Sequence, residues 1–259
     1  MQIIVDYLPN FLLVFCRISG FFVTAPVFSA RGVPAAFKIG ISAYVSFIVF
    51  SLVGLGEPAA WDGAYVLSVI KETLLGMLLG FLASLFFTVV QIAGSFIDMQ
   101  MGLGIANVLD PATGMQSPVL GNFKFFLAML LFLSMNGHHA LLKAVMDSYE
   151  WVPLQNDWLS QIAEGTVSTL LFDSFAEAFA LAFRLAAPLV VAMFLVDAGL
   201  GILARTAPQF NVFIVGIPVK IIIGFAVLLL LIPGFAPVFQ MLFESMFDAL
   251  ARMLQGLAE

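Results

Sequence analysis

Two long runs without a charged side chain restrict this chain to a lipid-like environment. The runs cover residues 73–97 and 221–243. At about 1.5 Å per residue, either run forms a helix long enough to cross a hydrocarbon layer of about 30 Å. Composition agrees, because 62% of the residues are hydrophobic and 10% are charged, against about 25% charged residues in soluble domains. The sequence therefore predicts a membrane protein that contacts membrane lipid.

Hydropathy and turn residues divide the chain into about six helical segments. They lie near 7–30, 38–56, 66–97, 123–142, 166–200 and 212–232, and an amphipathic tail follows from 236. Their apolar residues do not alternate with polar ones, as barrel strands would require, so the predicted fold is all-α. No polar stretch is long enough for a soluble domain, so we expect one membrane-embedded unit over residues 1–259.

Proline and glycine refine this prediction. Several segments contain a proline, which removes a backbone hydrogen bond and bends or breaks a helix. The prolines are Pro26, Pro188, Pro218 and Pro233. We therefore expect bent, proline-kinked segments arranged as hairpins. Gly76 and Gly80 have the G-x-x-x-G spacing that lets helix backbones approach closely.

Several function classes are disfavoured by the sequence. The formal charge of −6 comes mostly from connecting segments and gives no basic surface for nucleic acid. Cys16 is the only cysteine, and the adjacent His138 and His139 point about 100° apart on a helix, unlike the i, i+4 pair that binds zinc. H-E-x-x-H, G-x-S-x-G and phosphate-binding loop motifs are absent from the sequence. We therefore expect no enzyme activity, metal, nucleotide or other cofactor.

One predicted helix carries a charged stripe. Asp173, Glu177 and Arg184 are spaced by four and seven residues, which places them on one helix face. Facing lipid, each charge would cost roughly 2.5–3.5 kcal/mol at mid-depth, so the stripe must face protein or water. A salt-bridge seam between helices of an assembly is favoured over a transport pathway or proton relay. Lys220 has the same two interpretations, with snorkelling to an interface as a third.

The segment over residues 98–124 cannot be a continuous helix. It contains four glycines and two prolines together with Met99, Met101 and Met115, and it is too apolar for an ordinary surface loop. Irregular backbone at membrane depth persists only where protein or a water-filled cavity surrounds it. A deformable methionine-rich seal and a re-entrant packing loop both fit these properties.

Several motifs together resemble one family. They are the 184–224 stretch, the sequences DPATGMQSPVL and SMNGHHALL, and an early R-x8-P-x-F-x2-R-x2-P-x3-KIG that begins at Arg17. Across nearly the whole chain, the sequence resembles the FliR family of bacterial flagellar export-gate proteins.

The resemblance implies a subunit of a helical, cone-like gate in the bacterial inner membrane, within the flagellar basal body. FliP-like and FliQ-like subunits would complete the gate, FlhB-like and FlhA-like components would work with it, and unfolded export substrates would pass through. A related injectisome gate that secretes virulence proteins is a close alternative. An ion-coupled secondary transporter is a more distant one, suggested by broken helices and buried charges.

The resemblance also implies a lumenal plug loop near 98–122, with its centre at about 109–117. Relatives often carry aromatic residues before the Asp-Pro pair, where this chain has Asn107, Val108 and Leu109. The predicted plug and gate residues are Met99, Met101, Val108, Leu109, Asp110, Pro111, Met115 and Ser117. The residues predicted to make polar contacts between subunits are Arg17, Arg31, Asp173, Glu177, Arg184, Asp197, Arg205 and Lys220.

Overall fold

The structure is a computed structural model that describes residues 2–30, 32–53, 59, 61, 63–103, 118–154, 156, 158–159, 161, 164–209 and 211–258. Seven helices and no strand occur in these residues. The helices are α1 Gln2–Thr24, α2 Ala35–Val53, α3 Gly63–Gln100, α4 Val119–Ser134, α5 Gly137–Trp151, α6 Thr166–Thr206 and α7 Val212–Ala258. The all-α prediction is confirmed.

The predicted number of membrane segments is also confirmed. By length and composition, α1, α2, α3, α6 and α7 can each cross a membrane. The pair α4 and α5 is bent by 71° and makes a sixth span if it is taken as one. The bend interrupts the predicted 123–142 segment at Asn136, which has a φ of 58°. Asparagine tolerates this left-handed conformation better than most residues.

The prolines have less effect on helix boundaries than the sequence suggests. Pro188 lies inside α6, and three further prolines lie inside α7, which continues past Pro233 to Ala258. Pro26 follows the end of α1 at Thr24. A proline within a helix loses one hydrogen bond, whereas a helix end leaves up to four carbonyls unpaired, which is costly in lipid. Continuing the helix is therefore the smaller cost.

The helices contact one another in two compact units. Unit 1 comprises Met1–Phe86, Met135–Ala176 and Glu244–Glu259, and unit 2 comprises Phe87–Ser134 and Glu177–Phe243. The long helices α3, α6 and α7 each contribute residues to both units. That the whole chain is one membrane-embedded unit stays a prediction.

In unit 1, α1 and α3 approach each other at glycines. A Cβ atom on Gly76 would overlap the carbonyl oxygen of Arg17, and one on Gly80 would overlap the hydroxyl of Thr24. On the α1 side, a Cβ on Gly20 would lie 2.6 Å from the carbonyl oxygen of Thr73. The G-x-x-x-G pair thus packs two helices of the same chain together. α1 also packs against α2.

The last four turns of α7 also belong to unit 1 and are amphipathic. One face is buried, and Gly256 on that side would place a Cβ 2.6 Å from the side chain of Leu170 in α6. The buried residues include Met246, Leu250, Met253 and Leu257. The exposed residues include Glu244, Asp248, Arg252 and Gln255. The amphipathic tail predicted from the sequence is confirmed.

Unit 2 has an aromatic centre. The ring centroid of Phe132 lies 5.2 Å from that of Phe87 and 5.0 Å from that of Phe243, and Phe87 and Phe243 lie 5.7 Å apart. Pairs at these distances stabilise beyond the area they bury. The cluster packs α3, α4 and α7 together.

Candidate functional site

A buried polar cluster in unit 1 is centred on Arg17 in α1. The Arg17 side chain is 0% exposed and forms a two-point ion pair with Glu72 in α3. Arg17 Nε donates to Glu72 Oε2 at 2.6 Å, and Nη2 donates to Oε1 at 3.0 Å. The planar guanidinium suits this bidentate geometry better than a lysine ammonium would.

The other edge of the guanidinium faces the end of α5. Arg17 Nη1 donates to the carbonyl oxygen of Ser148 at 3.2 Å and to its hydroxyl at 3.1 Å, and Nη2 donates to the carbonyl oxygen of Val152 at 2.8 Å. The Ser148 carbonyl also accepts the N–H of Val152 at 2.9 Å, and the negative end of the helix dipole at this C-terminus attracts positive charge. The five hydrogen bonds match the five guanidinium donors.

Tyr149 completes this cluster. Its ring centroid lies 4.0 Å from Arg17 Cζ, and its hydroxyl donates to the carbonyl oxygen of Val14 at 3.1 Å. The cluster therefore ties α1, α3 and α5 together with its charges neutralised and its donors occupied. Such an arrangement positions helices and leaves Arg17 no free donor for a ligand.

A second ion pair lies in unit 2. Lys220 Nζ in α7 lies 2.8 Å from Asp197 Oδ1 and 2.9 Å from Oδ2 in α6. The Asp197 side chain is 43% exposed and that of Lys220 is 17% exposed. Both residues were predicted from the sequence to make polar contacts, but their pairing with each other was not predicted.

The remaining predicted polar residues are placed differently. Asp173, Arg184 and Arg205 are exposed on α6, and Glu177 is half-buried. Arg31 lies outside the described residues. The structure gives Arg17, Asp197 and Lys220 partners within the chain. For all eight residues, contact with another subunit stays a prediction.

The described flanks of the predicted plug begin at the end of α3. Met99 is exposed, whereas Met101 is fully buried against α7, where a Cβ on Gly224 would overlap the Met101 side chain. The remaining predicted plug residues lie outside the described residues; they are Val108, Leu109, Asp110, Pro111, Met115 and Ser117. Their role stays a prediction.

The end of α3 is a Schellman motif. Gly102 has a φ of 80°, its N–H donates to the carbonyl oxygen of Met99 at 3.2 Å, and the N–H of Leu103 donates to that of Asp98 at 3.0 Å. Glycine at this position avoids the steric cost of the left-handed conformation. The helix therefore stops at a defined residue on entering the 104–117 segment.

Several buried polar residues were not predicted as site residues, among them Glu72, Asp98, Lys124 and Ser148. Glu72 directly precedes the charge-free run over 73–97, and an acid at the edge of such a run signals a need for a cationic partner. Lys124 Nζ lies 4.9 Å from the ring centroid of Phe235 in unit 2, within cation–π range. Spacing gives no such signal for Ser148, because its partner is 131 residues away.

A metal site was not expected from the sequence. In the described part of the chain, no group of three histidine, cysteine or carboxylate side chains has the arrangement to hold a metal ion. The ring centroids of His138 and His139 lie 4.1 Å apart.

These features define a multi-pass α-helical membrane protein with ion pairs between its helices. A family model described as "Bacterial export proteins, family 1" matches residues 8–246. The chain is 41% identical to the flagellar biosynthetic protein FliR of Bacillus subtilis (strain 168) over 254 residues, 98% of each chain. It is 31% identical to FliR of Escherichia coli (strain K12) over 245 residues, 93% of this chain and 91% of that protein.

A relative with another name matches as well. The Yop proteins translocation protein T of Yersinia pestis is 31% identical over 214 residues, 82% of this chain and 81% of that protein. The chain therefore belongs to family 1 of the bacterial export proteins, and the predicted membership of the FliR family is confirmed.

Proposed function

We propose that this chain is a structural and gating subunit of the flagellar type III protein export channel. It would translocate unfolded flagellar proteins across the inner membrane, within the flagellar basal body. The observation that carries this proposal is the match to bacterial export proteins over residues 8–246. Relatives named as flagellar biosynthetic proteins support the flagellar member of this class.

The subunit works inside a hetero-oligomer with FliP-like and FliQ-like subunits and with FlhB-like and FlhA-like components. Exposed charges on an apolar helix support such an assembly. Asp173 and Arg184 are exposed on α6, and each directly follows an exposed phenylalanine, Phe172 or Phe183. Lipid would not solvate these charges, whereas a protein partner with complementary groups would.

The segment between α3 and α4 acts as the plug of the channel. Apolar side chains in a narrow lumen exclude ions because the lumen dewets, and an arriving export substrate displaces them. The subunit uses no nucleotide, metal or other cofactor and catalyses no covalent step. Its contribution is a channel wall and a deformable seal.

Ion leakage through the assembled gate tests this function. Val108, Leu109 and Met115 are replaced together by glycine, and the gate is co-expressed with its FliP-like and FliQ-like partners and placed in vesicles. Resting ion leakage should rise because the seal has lost its apolar side chains. Met135→Gly, at an exposed turn between α4 and α5, is the control and should leave leakage unchanged. A gate of normal mass whose leakage is the same with all three glycines would contradict the plug assignment.

The injectisome gate is a second candidate, because the Yersinia pestis relative is named as a translocation protein for Yop proteins. Deletion of the gene separates the two. Loss of motility supports the flagellar gate, whereas retained motility with loss of another secreted protein set supports the injectisome.

A further inference from the structure

Asp98 connects the two helices that flank the 104–117 segment. Its backbone carbonyl accepts the N–H of Leu103 at 3.0 Å and so closes the last turn of α3. Its side chain is directed to the start of α4, where both carboxylate oxygens accept the N–H of Leu120 at 3.1 Å. Oδ2 also accepts the N–H of Gly121 at 3.4 Å. One buried residue thus fixes the end of one helix and the beginning of the next.

α4 needs a cap from elsewhere in the chain. It begins at Val119, directly after Pro118, whose side chain has no hydrogen-bond acceptor. The first N–H groups of a helix lack helical partners and are usually capped by a serine, threonine, aspartate or asparagine immediately before the helix. At this helix the carboxylate arrives from α3. Its negative charge also suits the positive end of the helix dipole.

Two further contacts hold α3 and α4 together at the same place. A Cβ on Gly94 would overlap the backbone of Gly121, so the two helices touch through their main chains. The amide of Gln91 donates to the side-chain oxygen of Asn122 at 2.9 Å. We call the contacts of Gln91, Gly94 and Asp98 with the first turn of α4 the α3–α4 clamp.

We propose that Asp98 is a positioning residue of the export gate, acting through the α3–α4 clamp. The clamp holds the end of α3 and the start of α4 together, so the two points between which the 104–117 segment runs stay at one place. Fixed end points lower the loop-closure entropy of the connection between the two helices, and this favours the sealed state of the proposed gate. This proposal rests on the proposed function, in which the 104–117 segment seals the lumen.

The test uses Asp98→Asn in the assembled gate. The amide has nearly the same volume but loses the charge and replaces one acceptor oxygen with a donor. The first readout is hydrogen–deuterium exchange at the amides of Leu120 and Gly121, which reports on the clamp directly. Exchange there should become roughly fivefold faster, in line with the loss of a helix cap.

The second readout is resting ion leakage, which should rise in Asp98→Asn gates of normal mass. Asp98→Glu keeps the charge and both acceptors and should restore low leakage, a rescue that a generally weakened fold would not show. The matched control is Ser95→Ala, one turn earlier, because the Ser95 hydroxyl bonds the Gln91 carbonyl within α3 and not α4. Should Asp98→Asn fail to assemble, Gln91→Ala removes another tie of the clamp and should raise leakage in the same direction.

The outcomes separate this proposal from the proposed function. Faster amide exchange with unchanged leakage would overturn the positioning role of Asp98, and so would unchanged exchange. The proposed plug is judged by the triple glycine variant, whose failure to leak would refute the seal itself. Leaky glycine variants together with tight Asp98→Asn gates would therefore retain the plug and reject the role of Asp98.

Discussion

Arg17 shows how a single charged residue is accommodated in an apolar helix. Taking the charges of Arg17 and Glu72 out of water is costly, and their attraction repays this cost only with good geometry and further hydrogen bonds. The two-point pair supplies the geometry. The carbonyl oxygen of Val152, directly after α5, accepts a further hydrogen bond, and the ring of Tyr149 adds a cation–π contact. The pair therefore specifies which helices pack together. Removing only one partner should cause the largest loss of stability, because it leaves a buried charge unpaired.

Glu72→Gln should lower the free energy of unfolding by about 3–5 kcal/mol, because it leaves the buried guanidinium without a counter-ion. Thermal unfolding of the purified chain in detergent measures the loss. The control is Lys143→Gln. Lys143 and Asp147 form an exposed ion pair at 3.8 Å, with the lysine side chain 78% exposed. Exposed pairs four residues apart on a helix contribute at most about 0.5 kcal/mol to stability. Equal losses of unfolding free energy in both variants would show that the Arg17–Glu72 pair stabilises the chain no more than the exposed pair does.

The sequence indicated Arg17 through its motif and did not indicate its partner. Glu72 is 55 residues away, and the carbonyls of Ser148 and Val152 are 131 and 135 residues away. Helical spacing relates residues three or four apart, so it carries no information about such pairs. The stripe of Asp173, Glu177 and Arg184 was visible because its residues lie on one helix.

Among the helices, the close approach of α1 and α3 depends on the absence of side-chain atoms at Gly76, Gly80 and Gly20. Backbones at this distance gain van der Waals contact, which drives helix association in lipid. The same approach brings Arg17 and Glu72 within bonding distance, since Gly76 lies one turn after Glu72.

Gly76→Ala should destabilise unit 1 by about 1–3 kcal/mol, the usual cost of overpacking, because the added methyl would overlap the carbonyl of Arg17. Protease resistance of the detergent-solubilised chain provides the measurement. Gly40→Ala in α2 is matched to it, since a Cβ there meets nothing within 4 Å, and alanine is favoured over glycine in helices by up to about 1 kcal/mol. A Gly76→Ala chain as resistant as the Gly40→Ala chain would refute the close-packing role.

The elements were largely predictable because charge-free apolar runs determine where helices lie in a membrane protein. The run over 73–97 lies within α3, and that over 221–243 lies within α7. Helix ends were less predictable. Pro233 does not end α7, since its lost hydrogen bond costs less than a helix terminus, whereas Asn136 separates α4 from α5 by adopting a left-handed conformation that sequence patterns do not specify.

For the whole molecule, the exposed charges on α6 are the features that most need a partner. Arg184 is exposed among apolar side chains, and its predicted contacts lie in other subunits. Arg184→Glu should therefore reduce the amount of FliP-like and FliQ-like subunit that co-purifies with the chain. Lys143→Glu reverses another exposed charge, one that was not predicted to contact a subunit, and it should leave co-purification unchanged. Full co-purification with Arg184→Glu would argue against the seam.

The proposed assembly with other subunits can be inferred from the sequence only through family resemblance. A charged stripe shows that some residues must be covered, because a bare charge in lipid is unfavourable. It does not identify the covering surface, since complementary charges and shape belong to the partner chain.

The length of α7 has one more consequence. Its 47 residues make a helix of about 70 Å, more than twice the thickness of a hydrocarbon layer. Around 214–232 it exposes Ile222, Leu229 and Leu230, whereas its last turns expose Asp248 and Arg252. The surface of α7 is thus suited to lipid along its first part and to an aqueous or polar protein environment along its last turns.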